Sequence, residues 1–238
     1  MDLVISVNNQ TNGRDKIARL FQYTSRLIWY QLEVKNANKY SIDRIKHLEL
    51  ALGSFRKILR LGRCVDFWHL SLNCSNIDDP ILRFTITASK LAHSLFLYSD
   101  HIVWLTKSGF LNTDYDKWNQ RANKFWLLSI VANLARDLYE IIHLLEINKS
   151  IWLKPSNLVD GSVRNMDLSY GMRYICSLVD CHKDIFIDTL KNSCDLFIPL
   201  TALGFTKLTP STVGILGMIS SLAALVTIVK PITKLVPA

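Results

Sequence analysis

From Leu208 to Val229 the chain runs for 22 residues without a charged side chain. As a helix rising 1.5 Å per residue, this run is roughly 33 Å long, about the hydrocarbon thickness of a bilayer. Lys207 and Lys230 bracket it at the depth where headgroups would lie. A buried core helix would have the same composition, but little sequence remains after it to do the burying. A transmembrane helix over about 208–229 is therefore expected. Small residues sit four apart within it, Gly217 with Ser221 and Ser220 with Ala224. That spacing lets two helices approach closely, and these four residues are the expected self-association face.

A second stretch, Ser41 to Arg63, reads as a basic amphipathic helix. At 100° per residue Ile45, Leu48, Leu52, Phe55 and Leu59 fall on one stripe. Lys46, Lys57 and Arg60 lie opposite, with Arg56 and Arg63 at the border. The segment holds six Lys/Arg against two acids, Asp43 and Glu49. Two readings share this pattern. In one, the stripe packs into the protein's own core. In the other it enters one leaflet of an anionic bilayer, and Lys46, Arg56, Lys57, Arg60 and Arg63 meet lipid phosphates. Leu50 and Leu61 lie on the cationic side, where a packing partner would have to cover them.

Composition favours the membrane. The chain of 238 residues is 49 % hydrophobic yet 20 % charged, with a mean hydropathy of +0.16 and a formal charge of +8. Such a charge suits nucleic acid or an anionic membrane. With the cations placed on a helix that also bears a broad apolar stripe, anionic lipid is the expected partner and nucleic acid is not. Five cysteines in no framework spacing read as reduced thiols. The start lacks the basic n-region of a secretory signal.

In chain order, helices are expected over about 14–34, 41–72, 80–107, 114–148, 167–196 and 208–229. The fold class is all-α, a membrane-associated bundle of about six helices with a C-terminal transmembrane helix. The organisation is a helical region over 1–150 that contains the basic helix 41–72, a linker over 151–166, and a C-terminal part over 167–238. Pro199 is expected to stop the fifth helix, and Arg136 with Glu140 to form a surface i,i+4 pair. Segment 80–107 carries Arg83, Lys90, His93 and Asp100, so it is a poor isolated span.

Sites for chemistry are scarce. Glu140-x-x-His143 and Asp66-x-x-His69 lack the further glutamates of a di-iron bundle site, and Cys176-x4-Cys181-His182 lacks a second zinc half. There is no phosphate loop and no nucleophile elbow. No catalytic residue, metal or cofactor is expected, and the chain does not read as an enzyme.

Four motifs in order carry a family resemblance. They are Arg56-Lys-Ile-Leu-Arg-Leu-Gly62, Lys107-Ser-Gly-Phe-Leu111, Asn133-Leu-Ala-Arg-Asp-Leu-Tyr-Glu-Ile141 and Asn192-Ser-Cys-Asp-Leu-Phe-Ile-Pro-Leu200 with Leu203-Gly204. Together they resemble the peroxisomal membrane protein 11 family over nearly the whole chain. The resemblance implies an integral peroxisomal membrane protein that self-associates, with itself and with paralogues. It implies elongation, proliferation and fission of peroxisomes through insertion of the 41–63 helix. Implied partners are fission adaptors, a dynamin-like GTPase and the import receptor for peroxisomal membrane proteins. Two rival readings stay open. One is a channel for small metabolites, with Arg83, Lys90 and Asp100 lining it. The other is a passive adaptor whose basic helix docks a protein.

Overall fold

Helix boundaries fall where backbone amides find side-chain acceptors. Asn38 Oδ1 accepts from the Tyr40 amide, Asp79 Oδ1 from those of Ile81 and Leu82, and Thr209 Oγ1 from that of Thr212. Pro80 and Pro210 occupy first-turn positions, where a missing N–H costs nothing. Asp79 also receives the Tyr139 hydroxyl at 2.7 Å. That bond and the capped amides hold its carboxyl below the usual carboxylate range.

The computed structural model describes residues 7, 10–74, 77–152, 179, 181–230 and 235; side chains of 147–152 are not described. Among them are seven helices and no strand. They are α1 (Thr11–Val34), α2 (Lys39–Leu59), α3 (Arg63–Asn73), α4 (Pro80–Lys107), α5 (Tyr115–Trp152), α6 (Lys183–Ala202) and α7 (Pro210–Val229). The all-α expectation holds. The expected linker lies outside the described residues, except that 151 and 152 continue α5. The first part of the expected helix from 167 also lies outside them, apart from 179.

Two boundaries differ from the sequence reading. The expected single helix over 41–72 is broken, because Gly62 adopts φ +80° and begins α3. Only glycine takes this left-handed conformation without strain. Pro199 does not stop α6, which continues to Ala202 before a glycine turn at Gly204. A proline removes one helical hydrogen bond without forbidding the next turn.

The helices form a closed circuit. α1 packs on α2 and α7, α7 on α6, α6 on α5, α5 on α4, and α4 on α3 with a lighter contact to α2. Trp126 of α5 joins the two apolar clusters inside. It stacks on Phe96 at 5.6 Å and packs against the Tyr23, Ile198 and Val213 group. Much of the interior is polar instead. Asp15, Arg19, Asp100, Arg136, Asp137, Asn192 and Asp195 are buried, while Phe21, Phe84, Leu128, Leu138, Leu190 and Leu222 face outward.

α7 is the one helix among the described residues long and apolar enough to cross a membrane. Its small-residue face is spent within the chain. Gly214 and Gly217 lie against α1, where a Cβ on Gly217 would sit 2.4 Å from the Tyr23 ring. Ser220, Ser221 and Ala224 are buried too. The expected self-association face is therefore the seam between α7 and its own neighbours, because α1 fits the groove left by missing side chains. The outward residues of α7 are Ile215, Ile219, Leu222 and Val226.

Gly217→Leu is expected to destabilise the fold by about 3 kcal/mol, since the ring cannot retreat without moving α1. Thermal unfolding of the detergent-solubilised chain checks this. A change confined to oligomer size, with no change in Tm, would show that the face serves contacts between chains instead.

Candidate functional site: the basic helix and the charged cavity

α2 is rotated so that its charges point inward. Arg56 donates from Nε to Asp15 Oδ1 at 3.0 Å and from Nη1 to Gln22 Oε1 at 2.8 Å. Arg60 donates from Nη2 to Asp100 Oδ2 at 2.9 Å and lies 3.8 Å from Asp15. Lys57 pairs with Asp100 at 2.8 Å. Glu49, buried on the same side, accepts from Arg26 Nε at 2.7 Å and Trp29 Nε1 at 2.6 Å. Asp15 belongs to α1 and Asp100 to α4, so α2 is held at both edges by carboxylates.

The expected phosphate-binding cations thus divide. Arg56, Lys57 and Arg60 are in ion pairs within the bundle, not on an open face. Lys46 and Arg63 are nearer the rim. Lys46 pairs with Glu33 at 3.2 Å over the Trp29 ring, and Arg63 donates to Asn12 Oδ1 at 2.7 Å. The apolar stripe takes the other side. Leu48 and Phe55 are 51 % and 47 % exposed, while Ile45, Leu52 and Leu59 are half-buried. Leu50 and Leu61, expected to need covering, are exposed as well.

Behind α2 the circuit of helices surrounds a partly open cavity of about 1090 Å³. Among the described residues, eleven Lys/Arg and five Asp/Glu line it. Of the three residues proposed from sequence as pore-lining, Lys90 and Asp100 are there and Arg83 is not. Its far wall is a second ion-pair system. Arg19 of α1 grips Asp195 of α6, with one bond at 3.1 Å. Arg136 of α5 bridges Asp137 and Asp188, and Asn192 donates to Asp137 at 2.8 Å. Arg136 is consequently buried, not paired with Glu140 on the surface. The reason is that Asp137 beside it and Asp188 of α6 accept from its guanidinium, while Asn192 of α6 donates to both carboxylates. Arg19, Asp188 and Asp195 are not among the residues expected from sequence. The signal was there: each is a charge placed among the apolar positions of its helix.

Among the described residues no group of three His, Cys, Asp or Glu is arranged to hold a metal. His143 stacks on Tyr139, and His93 packs between Phe67 and Phe96. Cys64, Cys74, Cys181 and Cys194 are free thiols, while Cys176 lies outside the described residues.

The model of the peroxisomal biogenesis factor 11 family matches residues 1–229. The chain belongs to this family. Peroxisomal membrane protein 11B of Bos taurus is 31 % identical over 258 residues, covering 100 % of both chains. Peroxisomal membrane protein 11A of Homo sapiens is 30 % identical over 244 residues and 99 % of each. The peroxisomal membrane protein 11 homolog of Dictyostelium discoideum is 26 % identical over 234 residues, 93 % of this chain and 91 % of that one. No solved structure matches. The peroxin is thus a peroxisomal membrane protein with a role in peroxisome biogenesis, and its family is not one of known enzymes. The sequence-stretch Asn133–Ile141 that resembled the family contains the buried Arg136–Asp137 pair, and Asn192–Leu200 contains Asn192 and Asp195.

Arg19→Met alone leaves the Asp195 carboxylate buried without its partner, an expected loss of about 3–5 kcal/mol. Arg19→Met with Asp195→Leu should restore most of it, because two apolar groups need no partner. Thermal unfolding of the wild type and the two variants checks the order.

Proposed function

We propose that α2 is a membrane wedge that promotes peroxisome elongation and fission. The observation that carries this reading is the outward placement of Leu48 and Phe55 on a helix whose opposite face is clamped by Asp15 and Asp100. A helix held this way presents its apolar side to the surroundings without leaving the bundle. Ile45, Leu48, Leu52, Phe55 and Leu59 enter the nearer leaflet. Lys46 and Arg63 meet lipid phosphates at the rim, while Arg56, Lys57 and Arg60 stay in their ion pairs and hold α2 in place. Area added to one leaflet bends the membrane. Copies of the chain, with paralogues, concentrate the wedges through outward faces such as that of α7. Fission adaptors and the dynamin-like GTPase then act on the tubule, after the import receptor has delivered the chain. The similarity to peroxisomal membrane proteins 11A and 11B supports this role.

In cells, Leu48→Glu with Phe55→Glu is expected to abolish peroxisome elongation, scored by light microscopy, while the unfolding free energy of the purified chain changes by less than about 1 kcal/mol because both sites are exposed. Unaltered elongation in this variant would remove the wedge.

The charged cavity favours a second reading, a channel for small metabolites. Lys90 and Asp100 line the cavity, and the helices around it close into a circuit. Planar-bilayer conductance that survives Leu48→Glu with Phe55→Glu and falls with Lys90→Gln supports it. Absence of conductance in the wild type excludes it.

A further inference from the structure

The wall of the cavity formed by α1, α2 and α4 holds more positive charge than its carboxylates balance. Lys16, Arg56 and Arg60 all draw on Asp15, at 3.8, 3.0 and 3.8 Å. Arg60 also shares Asp100 with Lys57. Four cations thus divide two carboxylates, and the side chains of Asp15 and Asp100 are 3 % and 8 % exposed. Arg19 adds a donor: its buried Nε–H has no acceptor among the described residues, although its terminal nitrogens grip Asp195. The excess extends around the cavity: among the described residues that line it, cations outnumber acids by eleven to five. Like charges withdrawn from water repel strongly, and an unpaired buried donor is costly.

We propose that this wall is a binding site for a phosphate-bearing anion. A doubly charged phosphoryl group matches the surplus of the four cations over their two carboxylates. Its several oxygens give the guanidinium forks of Arg56 and Arg60 bidentate acceptors, which a chloride ion cannot do. The cavity has room for more than a bare phosphate. The group is carried by a soluble phosphomonoester or by the headgroup of an acidic lipid. The site exists with α2 docked, so it stands whether or not the α2 stripe enters the bilayer.

The test uses the full chain in neutral detergent, with thermal unfolding followed against concentration. One arm adds inorganic phosphate, with sodium chloride at matched ionic strength as control. The other adds a short-chain phosphatidic acid, with phosphatidylcholine of the same chain length as control. A saturable rise in Tm over the control in either arm supports the site, and the arm that responds tells the soluble source from the headgroup. Lys16→Gln is expected to weaken the apparent affinity about tenfold, the loss of one charge-assisted contact. Asp100→Asn is expected to tighten it several-fold, because a competing anion is gone. Leu48→Glu with Phe55→Glu should bind as the wild type does. No rise over control in either arm overturns the proposal even if a variant fails to fold. Equal shifts of the same sign in Lys16→Gln and Asp100→Asn overturn it too, since a purely structural role would give that result.

Discussion

Two buried carboxylates, Asp15 and Asp100, set the orientation of everything around α2. Between them they accept Arg56, Lys57 and Arg60, and so they turn the charged side of that helix into the bundle. Once the cations face inward, the apolar stripe has nowhere to go but outward, since the two lie on different sides of one cylinder. The cavity, the exposed Leu48 and Phe55, and the packing of α2 between α1 and α4 all follow from this choice.

The same inversion runs through the other helices. Soluble bundles place leucines inside and charges outside. Here Arg19 with Asp195, and Arg136 with Asp137, Asp188 and Asn192, tie α1 to α6 and α5 to α6. Large apolar side chains of α4, α5, α6 and α7 cover the outside. A buried charge needs a partner of opposite sign, and Arg19 and Arg136 each face at least one carboxylate. An apolar exterior is costly in water and suited to lipid, in keeping with a peroxisomal membrane protein. Interior polarity then gives the chain something to specify its fold by, since lipid does not drive apolar helix faces together as water does.

Most of the helices were legible in the order of residues. The expected ends at 80 and 107 are kept, with Asp79-Pro80 before α4 and Ser108-Gly109 after it, because caps and turns depend on neighbours along the chain. The uncharged run before Lys230 needed no partner to be recognised. Gly62 is the local feature that periodicity hides. Its left-handed φ divides α2 from α3, yet a glycine inside a periodic pattern gives the same letters whether it bends or not. The small-residue spacing of α7 says that something approaches closely and not which helix does; in the structure it is α1 that meets Gly214 and Gly217.

Sequence alone determined the α class, the spanning run, the amphipathic character of 41–63 and the family, because each rests on spacing and composition along one strand of residues. Tertiary structure decided which side of α2 faces out, which helix fills the Gly217 groove, and that the scattered acids Asp15, Asp100, Asp188 and Asp195 gather around one cavity. Those acids lie up to 180 positions apart (Asp15 to Asp195), and a charge finds its partner through space. Periodicity can show that a helix has two faces, but only the neighbours it meets settle which one is turned to them.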